Sequence, residues 1–380
     1  MKTILLISHS SAAVGGGEDD FFRLLKFLQG KFVIYSAFPD DARAAEFIPL
    51  SNKYLIIPNR PYPVNKFRFK QFLAYIYFTI KKLFVLIPFL RKNKKNINLC
   101  FVNSSVCFVE MRLLKFFKIP YVVSVKEKIN PGLVRKYVHK LIDNSASKVI
   151  VISNFLYKLL KETIKKKEIK IIRTSIDEDI YNKYKSDINV QKNKNKFVIL
   201  NVGQIYGLKN QILLVEAINK LKNKESVLVK FIGFVADNKY KEKLLKKIDE
   251  YELNNVIEFH GAMRKKEIIS EYINSDAVVI TSKEEGMSLV LVEALYFEKP
   301  VISTKVGIIP EIITNGENGI IVDSQNPYSL SSAIEELMSD KILYDKIKEN
   351  ALKTFRANFN LQKALEEHLE IFNECISVKK

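Results

Sequence analysis

Hydrophobic residues fall in short runs along this chain, and longer stretches with helical spacing lie between them. In the first half the runs Lys2–Ser8, Phe32–Ala37, Tyr54–Ile57, Ile97–Asn103, Tyr121–Val125, Lys148–Ser153 and Ile169–Arg173 predict buried strands. Stretches such as Asp19–Gln29 and Val134–Asp143 separate them and predict helices. That alternation points to a parallel, doubly wound sheet. A polar, lysine-rich stretch from Lys183 to Lys196 reads as a linker. The alternation restarts with Phe197–Val202, Val227–Ile232, Val256–Phe259, Ala277–Ile280, Val301–Thr304 and Ile320–Val322. Helices at Ser329–Met338, Lys341–Phe355 and Leu361–Val378 close the chain. The expected class is α/β, with domains at 1–190 and 191–360 and a terminal helical segment at 361–380.

Charge narrows the partners. There are 61 basic residues against 42 acidic ones, a net charge of +19. No RNA-binding signature, zinc finger or basic-region heptad accompanies that charge, so no nucleic acid is expected as partner. The chain is rich in Lys, Ile and Asn together, so compositional bias supplies part of the charge. An anionic membrane surface suits the remainder better. The segment Lys66 to Lys95 has no acidic residue and interleaves aromatic and basic side chains, and it reads either as one or two ordinary helices packed on the first sheet or as an interfacial helix whose basic face meets lipid, two readings that can both hold. Phe69, Phe72, Leu73, Ile76, Ile80, Leu83, Phe84 and Ile87 follow helical spacing. Lys66, Arg68, Lys70, Lys81 and Lys82 are the candidate cations for an acceptor or membrane surface. A transmembrane span is the poorer reading, since Lys81 and Lys82 would sit mid-bilayer at about 2.5–3.5 kcal/mol each. Met1–Ser8 reads as a first strand and not a signal peptide, because its apolar run is short and His9 interrupts it. Three cysteines without paired spacing predict no disulfide and suit a cytoplasmic location. Four scattered histidines form no metal-ligand cluster, so no metal is expected.

The densest chemistry lies between Thr281 and Glu298. An apolar run ends in small polar residues, Glu285 and Gly286 follow, and a helix opens near Ser288, a residue suited to N-capping. The N–H groups of such a first turn make a site for a diphosphate or sugar hydroxyls. Glu293, within that helix, could accept two hydrogen bonds from a ribose diol. The block Thr281–Glu298, followed by Lys299-Pro300-Val301-Ile302, Gly307-Ile308-Ile309-Pro310-Glu311 and Asn315-Gly316, resembles the donor-binding signature of the retaining glycosyltransferases of family 4, which have the GT-B fold. The family pair of glutamates falls on Glu285 and Glu293, and Met287 and Ser288 stand where Phe and Gly are usual. Asn201-Val202-Gly203-Gln204 with Lys209 resembles the family's Gly-Arg…Lys loop, with Gln204 in place of the Arg. The glycine loop Gly15-Gly16-Gly17-Glu18 resembles the family's first-domain loop.

The resemblance implies two Rossmann-like domains facing across a cleft, with the last helix crossing back to the first domain. It implies a metal-independent transferase (EC 2.4) that moves a sugar from a UDP- or GDP-linked donor, with retention, to a glycan or polyprenyl-linked hydroxyl acceptor in surface-polysaccharide synthesis. Glu285 would hold the sugar, Lys209 and Gln204 would face the diphosphate, and Glu293 would take the ribose. Gly16, Gly17, Gly203, Gly233, Gly286, Met287, Ser288 and Leu289 would complete the donor site. Lys126 stands near where many members carry a histidine beside the sugar, and Asn103-Ser104-Ser105 ends a strand on the acceptor side. The protein would work at the inner face of the plasma membrane. Three alternatives stay open at this point. A metal-dependent transferase would use Asp177-Glu178-Asp179 as its metal motif. A sugar-nucleotide epimerase would need no acceptor, and a degenerate binding protein would turn nothing over.

Overall fold

Parallel sheets of seven and six strands organise the chain in the computed structural model, which describes residues 1–10, 16–40, 43–58, 69–129, 131–189, 193 and 195–377. The first sheet contains β1 (Thr3–Ile7), β2 (Val33–Phe38), β3 (Lys53–Ile56), β4 (Ile97–Val102), β5 (Tyr121–Val125), β6 (Lys148–Val151) and β7 (Ile169–Ile171) in the order β3-β2-β1-β4-β5-β6-β7. The second contains β8 (Phe197–Val202), β9 (Val227–Ile232), β10 (Ile257–Gly261), β11 (Ala277–Ile280), β12 (Val301–Thr304) and β13 (Ile320–Val322) in the order β10-β9-β8-β11-β12-β13. The α/β class with two Rossmann-like sheets is therefore observed. Strand residues alternate between two buried faces. In the second sheet Ile199, Val229, Ala277 and Val279 enter one core, while Leu200, Ile232, Val278 and Ile280 enter the other. A parallel sheet covered by helices on both sides needs both sets apolar, which is why its strands read as continuous hydrophobic runs.

The chain folds as two units, Met1–Thr174 with Gln362–Lys380, and Ser175–Leu361. The division falls at Thr174/Ser175, ahead of the 190/191 boundary expected from composition. The helix Glu178–Ser186 explains the difference: its Tyr181 is buried in a core of the second unit with Tyr272 and Phe297. The terminal helix Leu361–Ser377 contributes Ala364, Ile371, Phe372 and Cys375 to the core of the first unit, where the Phe372 ring lies 5.4 Å from that of Phe101.

The segment between β3 and β4 forms a long helix, Phe69–Asn93, with Pro88 inside it. Leu86, Leu90 and Asn93 are buried, whereas Leu73, Ile76, Tyr77, Ile80, Phe84 and Ile87 form an exposed apolar stripe. The span Leu73–Asn93 is long and apolar enough to cross a membrane by length and composition, with mean hydropathy 1.7 over its most apolar 18 residues. Lys82 corrects the expectation that it faces lipid or acceptor. It is buried and its Nζ lies 2.6 Å from Glu110 Oε1. A charge so placed must be paired, and the pair fastens the helix to its neighbour Phe108–Phe116. Lys81 is exposed, with Nζ 4.5 Å from the centre of the Tyr77 ring. Lys70 lies in the same helix, and Lys66 and Arg68 lie outside the described residues.

Candidate functional site

Each sheet reverses its strand order once, between β1 and β4 and between β8 and β11. In open α/β sheets ligands bind beyond the carboxyl ends of the strands at such a reversal. In the second unit, Lys209 comes from the loop after β8 and Glu285 from the loop after β11, the two strands that flank the reversal. Lys209 Nζ lies 2.5 Å from Glu285 Oε1, and Ser282 Oγ donates to the same oxygen at 2.7 Å. Both side chains are mostly buried. The two loops are tied together directly. Thr281 Oγ1 donates to the Lys209 carbonyl at 2.7 Å, and the Lys283 N–H donates to the Leu208 carbonyl at 2.8 Å. Thr304 Oγ1 donates to the Ser282 carbonyl at 2.6 Å and fixes the loop from beneath.

Two glycines allow backbones to meet here. At Gly233, which follows β9, a Cβ would fall 2.0 Å from the Gly203 carbonyl oxygen. At Gly307 φ is +52°, and a Cβ would fall 2.6 Å from the Glu285 carbonyl oxygen. No side chain fits at either position, so the loops bearing Gly203 and Glu285 sit where only glycine neighbours let them. The helix Leu289–Tyr296 begins just beyond Glu285. As the sequence predicts, Ser288 caps it, its Oγ accepting from the Leu291 N–H at 3.4 Å. Gly286, Met287 and Leu289 lie beside that cap. A narrow cavity there is lined by Asn201, Lys209, Thr281, Ser282, Glu285 and Ser288. Gln204 is exposed, and its backbone carbonyl accepts from Gln211 Nε2 at 3.0 Å.

Glu293 is held by two residues that sequence reasoning missed. Tyr181 Oη donates to its Oε1 at 2.5 Å and Tyr272 Oη donates to its Oε2 at 2.8 Å. Burial pushes the Tyr272 phenol well up, and the negative charge of Glu293 pushes it further. It therefore stays a neutral donor. Asp177 of the Asp-Glu-Asp run caps the helix Glu178–Ser186, its Oδ1 accepting from the Ile180 N–H at 3.4 Å, with Glu178 and Asp179 in the first turn.

The first unit carries two polar clusters at the carboxyl edge of its own sheet. Lys126, just after β5, has Nζ 3.1 Å from Asp20 Oδ2; Arg23 reaches Asp20 Oδ1 at 2.6 Å, and Thr174 Oγ1 donates to Oδ2 at 2.5 Å. Burial alone would raise the Asp20 carboxyl, but Lys126, then Arg23 and Thr174, outweigh it and hold it below its ordinary value. The neighbouring Glu127 accepts three hydrogen bonds on Oε1, from Ser104 Oγ at 2.8 Å, the Ser105 N–H at 2.9 Å and Ser105 Oγ at 2.6 Å. Gly16 and Gly17 open the helix Gly16–Leu28, with Glu18 buried in its first turn, while Gly15 lies outside the described residues.

Comparison with known proteins gives this geometry a context. Residues 182–354 match the family described as glycosyl transferases group 1. An uncharacterized glycosyltransferase of Methanocaldococcus jannaschii is 28% identical over 63% of this chain, a match that spans 63% of that relative's own length. A second one from the same organism is 25% identical over 99% of both chains. Among solved structures, the Anabaena protein HepE in complex with UDP-glucose superposes with a TM-score of 0.80 at 19% identity, covering 98% of this chain and 100% of that one.

Proposed function

We propose that this chain, whose residues 182–354 match the glycosyl transferases group 1 family, moves a sugar from a nucleoside-diphosphate sugar to a hydroxyl acceptor with retention of configuration. The observation that carries the reading is the Lys209–Glu285 pair at the strand-order reversal of the second sheet. A diphosphate arriving beside Lys209 and the first turn of Leu289–Tyr296 meets a cation and free-ended N–H groups. It would exchange with Glu285 as the partner of the ammonium. Glu285, still bonded by Ser282, would then accept from hydroxyls of the sugar. As the glycosidic bond to phosphate lengthens, charge grows on the diphosphate, and these fixed donors stabilise it without reorganisation. Glu293 takes the ribose. The structural likeness to HepE, solved with UDP-glucose, supports a UDP-linked donor as the first to test. This chemistry requires no metal.

The acceptor belongs to the first unit. Its basic charge and the exposed stripe of helix Phe69–Asn93 support a lipid-linked glycan taken up at an anionic membrane surface, with the protein peripheral on the cytoplasmic face.

The test is thermal stabilisation of the purified protein by UDP, GDP, ADP and CMP, with and without chelator, repeated on Glu285→Ala and Lys209→Ala. A ligand of the folded state must raise the melting temperature. One diphosphate that stabilises regardless of chelator and fails with Lys209→Ala supports the donor site, and release of that diphosphate on adding a glycan acceptor supports transfer. Binding without turnover on any acceptor would favour a degenerate binding protein, the reading that the neutral Gln204 favours. Conversion of the sugar nucleotide without an acceptor would identify an epimerase.

A further inference from the structure

We infer that Tyr181 and Tyr272 are positioning residues for nucleoside recognition, which set the Glu293 carboxylate in the orientation that reads the ribose diol. The inference rests on the donor reading above and adds two residues to it. The phenols come from different helices, Glu178–Ser186 and Lys265–Asn274, and converge on separate oxygens of one carboxylate in a third, Leu289–Tyr296. Each ring is itself held by aromatic packing. Tyr181 lies 5.8 Å from Tyr296 and 5.9 Å from Phe297, and Tyr272 stacks on Phe297 at 5.5 Å. Both tyrosines are buried, Tyr272 completely. The hydroxyls therefore have little freedom, and the carboxylate they bond inherits their rigidity.

The stoichiometry suits a diol. An ionised carboxylate offers about four lone-pair sites, so one phenol on each oxygen is compatible with each oxygen also accepting from a ribose hydroxyl. With rotation about the terminal carboxylate bond fixed, two neighbouring hydroxyls are met at once. A simple fastening role for the helix is the weaker account. A half-buried carboxylate among Tyr296, Phe297 and two tyrosines costs desolvation that a well-packed apolar side chain would avoid.

The test measures dissociation constants by calorimetry for UDP, GDP and ADP and for their 2′,3′-dideoxy counterparts, on wild type, Glu293→Ala, Tyr181→Phe and Tyr272→Phe. Wild type should prefer the ribonucleotide by roughly tenfold or more, as expected for lost hydrogen bonds to a charged group. Glu293→Ala should bring the ratio near one. Each Tyr→Phe variant should cut the ratio at least about threefold while leaving the dideoxy affinity unchanged, because without the diol an aligned carboxylate has nothing to read. Equal weakening of both ligands in the tyrosine variants, or no change in either, overturns the inference while leaving the ribose reading standing. If the ratio survives Glu293→Ala, the ribose reading falls and the inference with it. If wild type binds no nucleotide, the donor reading itself falls. The two tyrosine variants are independent, so a folding defect in the buried Tyr272→Phe leaves Tyr181→Phe to decide.

Discussion

Replacing Gly307 by alanine tests whether the position of Glu285 matters, without altering any polar group. An alanine Cβ at 307 would lie 2.6 Å from the Glu285 carbonyl oxygen, 2.9 Å from its carbonyl carbon and 3.0 Å from its Cβ. Ordinary contact begins near 3.4 Å, so the Glu285 backbone must retreat by roughly 0.8 Å. The left-handed φ of +52° adds about 1–2 kcal/mol for a residue with a Cβ. Overpacking adds about 1–3 kcal/mol. A unit of this size loses roughly 2–4 °C of melting temperature per kcal/mol. Displacing a positioning group by about 1 Å costs on the order of 10²-fold in rate. The assay is kcat/KM for release of nucleoside diphosphate, beside the melting temperature. Gly316→Ala is the matched control: φ there is +75° and a Cβ meets nothing within 4 Å, so it carries the strain without the clash. Gly307→Ala should fall roughly 30–100-fold below that control in kcat/KM. If the two variants turn over within about threefold of each other, Glu285 does not act through its position and the assignment fails.

Further outcomes follow from other parts of the chain. Lys82→Met should destabilise the first unit by about 3–5 kcal/mol by leaving Glu110 buried and unpaired, and Lys82→Met/Glu110→Met should recover most of it; denaturant melts decide this. His139 is buried with Nδ1 2.7 Å from Thr163 Oγ1, and burial, with a smaller contribution from Arg135, pushes its pKa down to about 4. The fold thus favours the neutral ring, and stability present above about pH 6.5 is lost as pH falls toward 4, on the order of 3 kcal/mol; His139→Gln should flatten that acid limb in melts across pH. Gln204→Arg should tighten nucleoside-diphosphate binding about tenfold and steepen its salt dependence, read by calorimetry at two ionic strengths.

The strands were legible because both faces of each sheet are apolar, and a run such as Ala277–Ile280 leaves no other reading. Glu285 and Lys209 were singled out by their register in motifs that resemble the family's, each in a loop after such a run, and the structure brings the two side chains together. Tyr181 and Tyr272 were not, since the phenols meet Glu293 only once three helices are assembled, and tyrosine at a buried helix position reads as ordinary core. Lys82 misled for the reverse reason. It sits among exposed hydrophobics in sequence, yet on a helix it points away from Leu73, Ile80 and Phe84, and its partner Glu110 lies in another element. The unit boundary was hidden because a polar, lysine-rich stretch looks the same whether it links or, like the helix Glu178–Ser186, docks through the buried Tyr181 with Tyr184 packed on the same core.

The first unit is assembled from both ends of the chain, and this sets the order of events on the ribosome. Its core lacks Ile371 and Phe372 until residues 175–361 have been made, roughly 10–40 s at about 5–20 residues per second. The second unit is continuous and can close first, whereas the first waits with its sheet partly uncovered for the last helix. A nascent chain released early, at any codon between 175 and 361, therefore strands an incomplete amino-terminal half, whose exposed apolar surface is open to chaperones and proteases.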